Sequence, residues 1–132
     1  MAELDDLRTE VDGLVALSVP ADPWHLRLAR LTASGFSADL GFSLDEVEEL
    51  RLAVGEASAL LVEHAAAGAR LTVRYLDDGG EIVIEGRCEA DAGSPLSVDP
   101  VAEAVLANTV DAYEVGQDGD ANRFRLAKRA RT

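Results

Sequence analysis

The sequence predicts an α+β protein: a two-layer sandwich in which helices cover one face of a mixed, mostly antiparallel sheet. Three observations lead there. Arg70 to Leu76 and Glu81 to Gly86 are alternating apolar runs joined by Asp77-Asp78-Gly79-Gly80, the pattern of a β-hairpin. Elsewhere apolar residues recur at three- and four-residue steps behind helix caps. The predicted order is strand, helix, helix, strand, strand, helix, strand, strand, so sequential strands can pair as hairpins.

Residues 1–12 are read as a lead-in and 13–131 as one domain. Residues 13–19 predict a first strand closed by Pro20. Asp22-Pro23 is a cap followed by proline at the first helical position. The helix from Trp24 to Ser34 places Leu26, Ala29, Arg30 and Ala33 on one face, widened by Leu28 and Leu31, and Gly35 is expected to end it. After a connection over 36–42, Ser43 and Glu46 form a capping box. Asp45, Glu46, Glu48 and Glu49 crowd the first turns, where the helix dipole favours acids. Val47, Leu50, Val54, Ala57 and Leu61 carry this long helix to about Ala66, with a stop near Gly68.

Past the hairpin, 87–98 reads as a loop. Asp99-Pro100 opens a helix to about Asn108, with Val101, Ala104, Val105 and Ala107 apolar. Val110 to Val115 and Arg123 to Ala130 form a closing hairpin.

Composition narrows the function. The chain has 132 residues, a size for one domain. Its formal net charge of -13 opposes nucleic-acid binding, which needs clustered Lys and Arg, and opposes anionic membranes. It favours a basic protein partner or plain solubility. One cysteine, Cys88, can form no internal disulfide and fits a reducing compartment. No apolar run is long enough to span a bilayer, and the acidic start is unlike a signal peptide. A soluble cytoplasmic protein is the expectation.

The most informative segment is Leu50 to Ala65, a helix with one acid, Glu56, on an apolar and small-residue background. Together with Arg30-Leu31-Thr32-Ala33-Ser34-Gly35, Glu81-Ile82-Val83-Ile84, Val110 to Val115 and Arg125 to Arg129, it resembles the anti-sigma-factor serine kinases among the GHKL-type ATPases. The resemblance spans about the whole domain. It implies the GHKL (Bergerat) fold and a protein that sequesters a sigma factor, releasing it to a STAS-type anti-anti-sigma partner. It further implies a homodimer, and in active members ATP-dependent phosphorylation of a serine on that antagonist.

The residues depart from the family's site at three places. The family helix carries an acid and, four residues on, a magnesium-binding asparagine; here they are Glu56 and Leu60, and Leu60 supplies no oxygen. The adenine-binding Asp of the family falls near Gly86, with Asp91-Ala92-Gly93 as a shifted remnant. The glycine-rich phosphate lid is replaced by Leu96-Ser97-Val98-Asp99-Pro100. The nucleotide-site positions are therefore Glu56, Leu60, Gly86, Asp91 and Gly93, with no metal ligand set, and neither ATP nor magnesium is expected. The expected function is a regulator that binds a sigma factor or its antagonist with little or no ATP turnover. The alternative is an active serine kinase using ATP and magnesium, with Glu56 as the base. A regulator with neither partner is the third reading.

Other side chains carry paired readings. His64 is a helix-end cap or packing residue rather than a ligand, since no second His or Cys stands at zinc spacing. His25 reads as helix surface. Cys88 is a silent buried thiol, or one activated by Arg87. Trp24 is a core residue or an interface anchor. Arg123, Arg125, Lys128, Arg129 and Arg131 read as a solvated strand face, or as partners for acids on a dimer mate.

Overall fold

The computed structural model describes residues 14–131. The predicted lead-in, and Gly13 of the first strand, lie outside the described residues. The elements are β1 (Val15–Pro20), a 3-10 turn (Pro23–His25), α1 (Leu26–Asp39), α2 (Leu44–Glu63), β2 (Arg70–Asp78), β3 (Glu81–Glu89), α3 (Pro100–Thr109), β4 (Ala112–Asp118) and β5 (Ala121–Arg129). The sheet order is β1-β2-β3-β5-β4. All four pairings are antiparallel, so the expected mixed sheet is corrected to an antiparallel one. Each pair except β3/β5 follows chain order or closes a hairpin, which is the cheapest pairing for sequential strands.

One face of the sheet packs on the helices. Leu71, Val73, Tyr75, Ile82, Ile84, Phe124 and Leu126 point there and are buried, against Leu50, Val54, Ala57 and Leu61 of α2 and Leu106 of α3. Burying each such side chain contributes roughly 1.5–3 kcal/mol before chain entropy is counted. The Tyr75 hydroxyl donates to the Ala29 carbonyl at 2.8 Å, which seats α1 on the sheet. Removal from water pushes that phenol's pKa up.

Several boundaries differ from expectation. Helix α1 runs through Gly35 to Asp39, because Ala29, Ala33 and Ser37 continue a buried four-residue step beyond it. That packing outweighs the roughly 1 kcal/mol cost of a helical glycine. The reversal comes instead at Gly41, whose φ of 83° suits only glycine. Leu28 and Leu31, expected to widen the inner face, are exposed. In α3 the buried residues are Ala102, Leu106 and Thr109, while Val101 is 70% exposed. The Asp99 cap sets that phase by accepting from the Ala102 N–H at 2.8 Å. Strand β3 continues to Glu89, shortening the expected loop, and Asp77 and Asp78 belong to β2. The turn itself is Gly79-Gly80, both at positive φ, the geometry of a tight hairpin.

Helix α2 is fixed at its start by Glu46. The capping box is present: Ser43 Oγ accepts from the Glu46 N–H at 3.2 Å, and Glu46 Oε1 accepts from the Ser43 N–H at 2.9 Å. The second oxygen, Oε2, accepts from the Arg131 N–H at 2.6 Å, tying the chain after β5 to the helix. Glu49 adds a 2.9 Å contact to the Arg131 guanidinium and lies 3.5 Å from Lys128 Nζ. Lys128 corrects the expectation of a wholly solvated basic face. It is buried on the helix side, donating to the Thr109 carbonyl at 2.9 Å.

The N–H bonds from Arg131, then from Ser43, hold the Glu46 carboxyl down at about 2. A depressed folded pKa stabilises above the unfolded value and is lost as pH falls through the folded one. Glu46 should therefore contribute fully above pH 4.5 and lose its contribution as pH drops towards about 2. Glu46→Ala should cost about 1–3 kcal/mol at neutral pH. Urea unfolding followed from pH 7 to acid should show this, with the difference between wild type and variant shrinking over that window.

Candidate functional site

Helix α2 places Glu56, Leu60 and His64 one turn apart, and the structure gives each a different environment. Glu56 is half-buried on the side facing α1. It lines a cavity of about 380 Å³ with Leu26, Arg30, Arg51, Leu52, Gly55 and Ala59. A Cβ at Gly55 would stand 2.9 Å from Arg30 Cδ, so the absent side chain lets the arginine lie across α2. Sequence reasoning placed Arg30 on the helix but missed this contact. The overlooked signal was Gly55 itself, a helix-interior glycine that marks a close approach.

Leu60 is only 4% exposed and belongs to the hydrophobic core. It therefore packs rather than facing an aqueous ligand. His64 caps α2, and its Nδ1 lies 2.7 Å from Ser94 Oγ. The His64 carbonyl also accepts from the Asp91 N–H at 2.9 Å. These two bonds fasten the 90–98 segment onto the end of α2. The residues stand thirty positions apart, and no local pattern announced the contact.

Gly86 sits in β3 directly opposite Phe124 of β5. A Cβ built there would overlap the Phe124 ring. The position thus holds an aromatic ring against bare backbone, with no room for a carboxylate. Asp91 is exposed, and its Oδ1 accepts from the Gly93 N–H at 3.0 Å. That closes a local Asx turn. Asp99 occupies the expected lid region and is engaged as the α3 cap. The five sequence-predicted positions are thus dispersed: Glu56 in a surface cavity, Leu60 in the core, Gly86 under an aromatic ring, Asp91 and Gly93 in a turn.

Magnesium needs near-octahedral oxygen ligands, and the buried Leu60 offers none. Among the described residues, no group of three or more His, Cys, Asp or Glu side chains converges as a metal site. No helix among them is long and apolar enough to cross a membrane. Cys88 is buried, and loss of solvent, then the Glu89 charge, raises its thiol pKa, so Arg87 does not activate it. Arg87 is instead engaged with Asp118 at 2.8 Å. His25 Nδ1 lies 2.7 Å from Asp22 Oδ1, and that bond lowers the Asp22 pKa. Trp24 is 87% exposed, which removes the core reading.

Comparison with known proteins identifies the family. The histidine kinase-like ATPase domain family matches residues 19–119. The serine-protein kinase RsbW of Listeria monocytogenes serotype 4a is 32% identical over 115 residues, covering 83% of this chain and 67% of its own length. RsbW of Bacillus pumilus is 31% identical over 118 residues, covering 81% and 70%. The crystal structure of the RsbU and RsbW domains of Rv1364c from Mycobacterium tuberculosis superposes with a TM-score of 0.66 at 14% identity, over 88% of this chain. This chain spans 32% of that longer protein, and the likeness there is one of fold. The chain therefore belongs to the histidine kinase-like ATPase domain family, in the group that contains the RsbW serine-protein kinases.

Proposed function

We propose that this protein is an anti-sigma-factor-like regulator of the cytoplasm. It acts by binding a sigma factor or its STAS-type antagonist, with little or no ATP turnover. The observation that carries the reading is the Phe124 ring seated on Gly86. Family resemblance puts the adenine-binding carboxylate near Gly86, and the packing at Gly86 itself leaves no space for one. Leu60, buried where the family has its magnesium asparagine, supports the same conclusion. The fold and its surfaces remain available for protein contacts, which need no metal. A stable contact of this kind buries at least about 1,000 Å² in total.

Homodimerisation is part of the reading. The sheet face away from the helices carries the row Arg74, Glu85, Arg125 and Glu114 across four strands. Alternating charge of this kind can pair with a copy of itself turned about a two-fold axis.

Glu56 supports a second reading. It lines a cavity with two arginines, as a base beside a phosphate-binding surface would. Under that reading the protein is an ATP-dependent serine kinase for the antagonist.

Calorimetric titration with ATP and magnesium separates the two. No heat at millimolar nucleotide is expected, and micromolar binding would establish the kinase reading. Glu56→Ala should leave partner affinity intact under the first reading and abolish phosphotransfer under the second.

The packing at Gly86 gives its own test. Gly86→Ala should lower stability by about 1–3 kcal/mol through overpacking. Gly86→Asp should cost more, because it also buries a charge, and it should gain no nucleotide affinity. Urea melts and the same titration read both outcomes.

A further inference from the structure

The sheet ends on β4. Among the described residues this strand pairs with β5 alone, so one row of its N–H and C=O groups has no partner in the sheet. An open edge of this kind is a template for a further strand, and proteins blunt it with proline, a bulge, shortness or charge. Strand β4 runs for seven residues without proline. Its register with β5 is unbroken from Ala112 against Ala127 to Asp118 against Ala121, so it carries no bulge. It has only charge, and that charge is all acidic: Glu114 and Asp118. The other edge, β1, carries no charged residue and is closed by Pro20.

The side chains along the edge define what fits against it. Tyr113 and Val115 stand opposite Leu126 and Phe124, so they point to the helix face, and both are half-buried. Glu114 and Asp118 point to the other face and are 69% and 61% exposed. Their arginine partners, Arg123 at 3.9 Å and Arg87 at 2.8 Å, lie inward on β5 and β3. A strand approaching the edge therefore meets the acids first. Gly116, between them on that face, leaves open space. Residues directly opposite in a strand pair share a face. An added strand thus needs apolar side chains opposite Tyr113 and Val115, and cations opposite Glu114 and Asp118. A second copy of β4 brings the same two acids to the seam, in a chain of net charge -13, and like charges across a pair are destabilising.

We propose that the free edge of β4 is a strand-addition site for an extended segment of another protein, in which basic and apolar residues alternate. Backbone hydrogen bonds to the unpaired row of β4 hold the segment, and the alternating side chains select it. The acidic margin attracts it and turns away acidic strands. The edge is addressed through backbone groups, so its use depends neither on nucleotide binding nor on the homodimer.

The test titrates the full chain with a synthetic capped peptide of alternating lysine and valine, about as long as β4. Calorimetry reads affinity, and amide hydrogen exchange reads where the peptide sits. The peptide should bind and slow exchange at residues 112–118. A copy N-methylated at its central amides, which blocks donors along both of its edges, should bind at least about tenfold more weakly. A copy with glutamate in place of lysine should lose as much. Glu114→Lys should weaken the lysine peptide similarly, whereas Val15→Lys, on the opposite edge, should change nothing. Circular dichroism checks that both variants are folded. The methylated peptide leaves the protein unaltered, so its result is independent of any change in oligomer. No heat at millimolar peptide, binding that methylation leaves intact, protection outside β4, or a Glu114→Lys variant that binds like wild type overturns the proposal. Slowed exchange at 112–118 that grows with protein concentration in the absence of peptide also overturns it, by making the occupant a second copy.

Discussion

The close approach of β3 and β5 at Gly86 and Phe124 is the constraint on which the interior is organised. The two residues face each other in register, and the ring occupies the volume that a side chain on β3 would need. Phe124 is fully enclosed and is among the largest buried side chains. Interiors pack near crystal density, so that volume cannot be shared between a ring and a second group. Choosing the ring commits this end of the sheet to hydrophobic packing. Leu60 extends the same choice into α2.

A second set of contacts keeps the layers from sliding. The Glu46 carboxylate is the meeting point of the α2 cap and the chain leaving β5. Each of its oxygens accepts a backbone N–H, so the buried charge is compensated where it would otherwise be costly. Lys128 and Glu49 lie beside it, with the lysine also satisfied by the Thr109 carbonyl. Helix α2 is thereby pinned near its N-terminus by polar bonds and along its length by apolar contacts. The other end is closed by His64, Asp91 and Ser94. Glu56 lies between these anchors, so its position is set by a rigid helix rather than by a loop.

The fold was legible in the sequence because its signals are local. The Ser43 capping box, the Asp99 cap and the Gly79-Gly80 turn each fix a few backbone angles, and alternation fixes which strand face is inward. What failed depended on distant partners. Gly35 reads as a helix end until Ser37 is seen to be buried beyond it. Lys128 reads as surface until the Thr109 carbonyl is placed over it. Val101 reads as core until the Asp99 cap sets the phase of α3. The site was half legible. Leu60 could be read as packing from residue type alone, but the Phe124 ring over Gly86 arises from pairing between strands thirty-eight positions apart, as the register Gly86 to Phe124 requires. Arg30 across Gly55 was foreshadowed by a helix-interior glycine.

The two faces of α1 differ in what they contribute to stability. Small residues inward let the helix sit close to the sheet, where the Tyr75 hydroxyl reaches the Ala29 carbonyl. Leu26 and Phe36 add apolar area on that side, with the Phe36 ring 6.1 Å from that of Tyr75. The exposed Trp24, Leu28 and Leu31 contribute little to the isolated fold while they remain in water. Their transfer free energy is realised only when another surface excludes that water. Substitutions on the outer row therefore affect stability less than substitutions at the enclosed Ala29 and Ala33.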